Sequence, residues 1–134
     1  MPAITPWFRG SRALVVGLAR SGCAAAKLLL RYGAGVRGVD RRRAEELGAS
    51  VSELKQLGVE LSFGAVDPDQ IRDRDLVVVS PGVPLDLPIF REAERRGIPI
   101  VAEVELGYAV AKAPIVAVTG TNGKSTTVEL LGAM

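Results

Sequence analysis

The sequence predicts an α/β fold: a Rossmann-like parallel sheet with helices on both faces. Three observations carry that prediction. Short apolar, β-branched runs alternate with stretches of helical composition from Ala13 to Lys112, the pattern that produces parallel strands joined by helical crossovers. A glycine-bearing turn, Gly17 to Gly22, follows the first apolar run directly and opens a helix. A second strand–glycine loop–helix unit, Ile115 to Thr127, stands near the end of the chain. It adds the first strand, loop and helix of a truncated P-loop domain to the expected architecture. The expected boundary divides residues 1–112 from residues 113–134, with Ala113-Pro114 as the hinge.

Residues 1–10 read as a leader in which Trp7 and Phe8 pack on the domain edge. Ala13 to Val16 is a first strand, wholly apolar as a strand covered on both faces must be. A helix follows from about Ser21 to Tyr32, alanine-rich, with Lys27 and Arg31 four apart on its wet face and Gly33 at its end. Val36 to Asp40 is the second strand. Ala44 to Leu57 has helical composition, with Gly48 as a possible break and Val51, Leu54 and Leu57 at helical spacing. Val59 to Phe63 alternates like a strand, and Asp67-Pro68-Asp69 signals a turn. Asp75 to Ser80 is a strand that runs into the rigid loop Pro81-Gly82-Val83-Pro84. Asp86 is expected to cap the next helix, with Pro88 in its first turn and Ile89, Phe90 and Ala93 facing inward. Arg95 and Arg96 suit its negative end, and Gly97 closes it. Ile98 to Val101 is a further strand and Ala102 to Lys112 a further helix, giving five strands before the hinge and one after it.

Composition excludes several classes of function. The 134 residues carry 17 basic and 15 acidic side chains, a net charge of +2. That balance gives no basic stripe for nucleic acid, and Arg41-Arg42-Arg43 reads as a solvated loop. Cys23 is the single cysteine, so no internal disulfide forms, and its alanine-rich surroundings point to buried packing. The absence of histidine removes the commonest general base and metal ligand. The longest stretch without a charge, Ala113 to Gly123, has 11 residues, well short of a membrane span. With no signal peptide in view, a cytoplasmic location is expected.

Two motifs carry chemistry. Val118-Thr119-Gly120-Thr121-Asn122-Gly123-Lys124-Ser125-Thr126 lies between a strand signal and a helix signal. Gly120 and Gly123 leave backbone N–H groups bare beside a positive helix end, a setting for phosphate oxygens. Lys124 adds a point charge for the outer phosphates, and Ser125 or Thr126 offers a hydroxyl to magnesium. The loop is a shorter variant of the usual pattern, since Val118 stands where the first glycine belongs. The alternative is a polar turn. The earlier motif, Gly17 to Gly22, departs from the dinucleotide fingerprint at Ala19. Asp40 follows Gly22 by 18 residues, near where an acidic residue meets a ribose hydroxyl. The alternative is a helix packed tightly on a sheet, with Asp40 as a cap or an arginine partner.

Taken with these motifs, Asp75-Leu76-Val77-Val78-Val79-Ser80-Pro81-Gly82-Val83-Pro84 and Gly97-Ile98-Pro99-Ile100-Val101 with Glu103 to Leu106 give a chain that resembles the N-terminal part of a Mur ligase. Within that family it is most similar to the D-glutamate-adding branch. The resemblance implies a first domain that binds the UDP end of a nucleotide-sugar. Arg20 and Ser21 would lie beside the diphosphate, Asp40 and Arg41 at the uridine, and Ser80, Pro81 and Gly82 along the same crevice. It implies ATP and Mg2+ as cofactors, held by Gly120, Thr121, Asn122, Gly123, Lys124, Ser125 and Thr126, with Lys124 stabilising the transferring phosphoryl group and Ser125 on the metal. The implied reaction passes through an acyl phosphate of UDP-N-acetylmuramoyl-L-alanine, which D-glutamate attacks, in peptidoglycan precursor synthesis. The full enzyme would be a monomer without nucleic-acid or membrane partners. The 134-residue chain alone is expected to bind the UDP-sugar without catalysing, and the residues after Pro114 to be mobile or to dock on their own sheet edge or on a neighbour. Two other readings remain open: a stand-alone NAD(P)-binding module, and a non-catalytic assembly domain with vestigial loops.

Overall fold

The structure, a computed structural model, describes residues 5–114. The second phosphate-type motif, its ATP and magnesium residues and the expected docking of the tail lie outside the described residues.

Five short strands form one sheet: β1 (Arg12–Val16), β2 (Gly35–Asp40), β3 (Glu60–Phe63), β4 (Leu76–Val79) and β5 (Ile100–Ala102). The order across the sheet is β3-β2-β1-β4-β5, and every pairing is parallel. Residues 13–16 of β1 pair with Val36 to Val39 on one side and Leu76 to Val79 on the other. Both faces of β1 are covered, so Ala13 to Val16 are all buried, as a central parallel strand requires. The sequence order reverses at β1. The carboxyl ends of β1 and β4 therefore flank a switch point, where open α/β sheets leave a crevice.

The helices are α1 (Arg20–Arg31), α2 (Ala44–Leu47), α3 (Ala49–Gln56), α4 (Pro88–Arg95) and α5 (Glu103–Val110). A 3-10 turn at Pro68–Ile71 replaces a crossover helix before β4. One core joins Ala13 and Val15 to Ala26 and Leu29 of α1, Leu54 of α3 and Leu106 of α5. The other joins Leu14 and Val16 to Ile71 and to Ile89, Phe90 and Ala93 of α4. Alternate residues of β1 thus feed opposite layers, the period-two consequence of its pleat.

Several expectations shift in detail. Gly48 does break the second helical stretch, with φ +83°, between α2 and α3. The helix α4 takes Leu87, not Asp86, at its N-cap, and no side chain caps it. Pro88 occupies the first helical position, which pushes its predecessor into extended backbone and fixes the boundary one residue later. Phe8 is fully buried while Trp7 remains exposed. Leu57 is likewise exposed, because α3 has ended and Gly58 turns the chain into β3. Among the described residues, no helix is long and apolar enough to cross a membrane.

Candidate nucleotide-binding site

The site begins with the turn that leaves β1. Gly17 adopts φ +94°, and a Cβ there would lie 2.7 Å from Val83 Cγ2. Gly22 is tighter still: a Cβ would sit 1.8 Å from the Gly17 carbonyl oxygen and 2.6 Å from Ser80 Oγ. The two glycines therefore let the first turn of α1 press against the end of β1 and the loop after β4. Gly38 does a related job one strand away, since a Cβ there would reach 2.8 Å from the buried Leu18 side chain.

Backbone groups of the Gly17–Leu18 dipeptide are fully partnered. Gly17 N donates to Val39 O (2.9 Å). Ser80 Oγ donates to Gly17 O (2.8 Å). Leu18 N donates to Asp40 Oδ2 (2.8 Å), and Cys23 Sγ donates to Leu18 O (3.2 Å). The helix that follows has no side-chain cap and no acid in its first turn. Its opening N–H groups have no intrahelical acceptor, and the positive end of its dipole faces the same way.

A crevice of about 370 Å³ opens beside this turn, within the range of small-ligand sites. Its walls are the ends of β1 and β2 and the loop after β4, with Ala19, Asp40, Arg41, Arg42, Pro81 and Gly82 among its lining. Of the residues singled out from sequence, Asp40, Arg41, Ser80, Pro81 and Gly82 line it. Arg20 and Ser21 take the first two positions of α1, directly after the lining residue Ala19, and do not themselves line it.

Asp40 and Ser80 are the two buried polar side chains among the described residues, each 5% exposed. Asp40 Oδ1 accepts from Arg42 N (2.8 Å) and Arg42 Nε (3.2 Å). Its Oδ2 accepts from Leu18 N and from the Arg42 guanidinium (3.1 Å). Burial alone would raise the carboxyl's pKa. The bonds from the Arg42 side chain, the Leu18 amide and the Arg42 amide outweigh it and hold Asp40 below the usual carboxylate range. The pairing of Asp40 with an arginine is the alternative the sequence offers, but a solvated-loop reading of the three arginines does not single out Arg42 as that partner. The signal was present, because an aspartate commonly bonds the amide two residues on. Among the described residues, no group of three His, Cys, Asp or Glu side chains could hold a metal ion.

A parallel sheet with a glycine-turned helix start and a cavity at its switch point defines a Rossmann-like domain. Residues 11–102 match the model of the Mur ligase MurD-like N-terminal domain. The chain belongs to the Mur ligase family. It is 48% identical over 130 residues to a UDP-N-acetylmuramoylalanine–D-glutamate ligase of Anaeromyxobacter dehalogenans, covering 96% of this chain and 28% of that protein. It is 45% identical over 121 residues to the enzyme of the same name from Staphylococcus epidermidis, covering 90% of this chain and 27% of that one. The chain thus spans little more than a quarter of the length of these relatives. Among solved structures it is similar to UDP-N-acetylmuramate-alanine ligase MurC from Thermotoga maritima, with TM-score 0.65 and 27% identity over 91% of this chain and 28% of that one.

Proposed function

We propose that the chain supplies the nucleotide-sugar-binding part of an ATP-dependent ligase that joins D-glutamate to UDP-N-acetylmuramoyl-L-alanine in peptidoglycan precursor synthesis. The observation that carries this reading is 45–48% identity to proteins of that name across 90–96% of the chain. In this reading the diphosphate lies against the start of α1, near Arg20 and Ser21, where free amides and the helix dipole favour an anion. Ser80, Pro81 and Gly82 form the opposite wall. Asp40 and Arg41 form the end at which the uridine is held, and Arg41 brings a cation for which no acidic partner is found among the described residues.

The segment beyond the hinge at Ala113-Pro114 would then open the ATP-binding domain. Gly120, Thr121, Asn122, Gly123, Lys124, Ser125 and Thr126 would cradle the phosphates of ATP, with Ser125 on Mg2+. The carboxylate of the UDP-sugar peptide would be activated as an acyl phosphate, and the amine of D-glutamate would displace phosphate to form the amide. A cytoplasmic site of action follows from that chemistry, since its substrates are soluble nucleotide precursors.

The competing NAD(P) reading needs an acidic acceptor for the adenosine ribose. Asp40 has both oxygens engaged by Arg42 and Leu18 and so does not separate the two readings; the identity to D-glutamate ligases favours the UDP one. Calorimetry of the 134-residue chain with UDP, UDP-N-acetylmuramoyl-L-alanine, NAD and ATP tests it. Binding of the two uridine nucleotides without NAD is expected. NAD binding with no uridine response would replace this reading by that of a stand-alone NAD(P)-binding module, and silence from every nucleotide would favour an assembly domain.

A further inference from the structure

The two buried polar side chains of the described domain act on one peptide group. The C=O of Gly17 and the N–H of Leu18 belong to the same peptide plane. Ser80 Oγ holds the first at 2.8 Å and Asp40 Oδ2 the second at 2.8 Å. We propose that Ser80 and Asp40 form a clamp that fixes this plane, and that they serve the nucleotide site as positioning residues, not as ligand contacts. The inference rests on the reading of the crevice as a UDP site.

Three features of the geometry support it. The carboxylate of Asp40 has about four acceptor positions, and four donors already occupy them. A ribose hydroxyl or a uracil N–H therefore meets a saturated group. The Ser80 hydroxyl has committed its only proton to Gly17 O, so it has none to give a phosphate oxygen. The clamped plane directly precedes Ala19 and the free amides at the start of α1. Gly22 packs onto the clamped carbonyl with no room for a Cβ, so the plane's orientation sets where those amides point. An unclamped Gly17, already at φ +94°, has the freedom of any glycine to turn the plane over. The clamp removes that freedom before ligand arrives, which is pre-organisation of an anion site.

The test compares Ser80→Ala, Asp40→Asn and the double variant with the parent chain, by calorimetry with UDP and with UMP. A clamp predicts that each single change weakens UDP about tenfold. UMP weakens less, so the preference for the diphosphate shrinks. The double variant is predicted to be no worse than the poorer single change by more than about twofold, since both release the same plane. An unchanged UDP-to-UMP preference, or losses that multiply in the double variant, would overturn the clamp and leave the UDP site standing. Absence of UDP binding by the parent chain would overturn both. Should either variant fail to fold, hydrogen exchange of the Leu18 amide in the unliganded parent decides the matter. Protection comparable to the β1 amides is expected, and exchange as fast as in an exposed loop contradicts the clamp.

Discussion

Gly22 leaves no space for a methyl group. Its would-be Cβ lies 1.8 Å from a backbone oxygen, not from the yielding end of a flexible side chain. Gly22→Ala must therefore move α1 away from β1. We expect a loss of roughly 2–4 kcal/mol in urea denaturation together with loss of UDP binding; a cost under about 0.5 kcal/mol would mean the turn is looser than described. Asp40 makes a second prediction at this scale. Its folded-state pKa lies below the unfolded value, so its ionised form stabilises the fold above about pH 4. That contribution is lost as pH falls through the folded pKa. Urea unfolding of the parent chain and of Asp40→Asn from pH 7 to pH 3 should show the parent's advantage constant at neutral pH and shrinking below about pH 4. An advantage that grows on acidification would reverse the sign and contradict the pairing. Spacing singled out Asp40, and family resemblance Ser80, as candidate site residues. Neither could show that their donors and acceptors are already used, because partner saturation depends on the Arg42 side chain and the Leu18 amide meeting in three dimensions.

The elements that position the crevice were the most legible ones. The first strand, the glycine turn, α1 and β2 follow from an apolar run, two glycines and an alanine-rich helix whose buried face is Gly22, Cys23, Ala25, Ala26 and Leu29. Element ends were less legible. Asp86 has the chemistry of a cap, yet Pro88 places the cap position at Leu87. Leu57 keeps helical spacing with Leu54 but falls where the chain is turning. The tail helix α5 shows how little holds a peripheral element. Leu106 is its one buried residue, while Val104 and Tyr108 are each 72% exposed. Leu106→Ala should cost about 2–4 kcal/mol in thermal or urea unfolding, whereas Val104→Ser should change stability by less than about 0.5 kcal/mol. Equal effects would mean α5 packs through a different face.

At the scale of the whole molecule, the fold explains why the chemistry gathers in one place. The order β3-β2-β1-β4-β5 sets the carboxyl ends of β1, β2 and β4 side by side. Three loops far apart in sequence, after Val16, after Asp40 and after Val79, thus share one cavity. No local pattern in the sequence states that Ser80 will touch Gly17, 63 residues away. The contact follows once β4 pairs with β1 in the register Val16 to Val79. The alternation of strands and helices made the sheet legible, and family resemblance pointed to the loops. The clamp on the Gly17–Leu18 peptide needed coordinates. The most direct test of the account is amide chemical-shift mapping of the 134-residue chain on titration with UDP. The account predicts that the largest shifts fall on Gly17 to Gly22, Arg41 and Ser80 to Val83. Shifts confined to the open polar groove around Asp67 to Asp73, with the glycine turn unmoved, would contradict it.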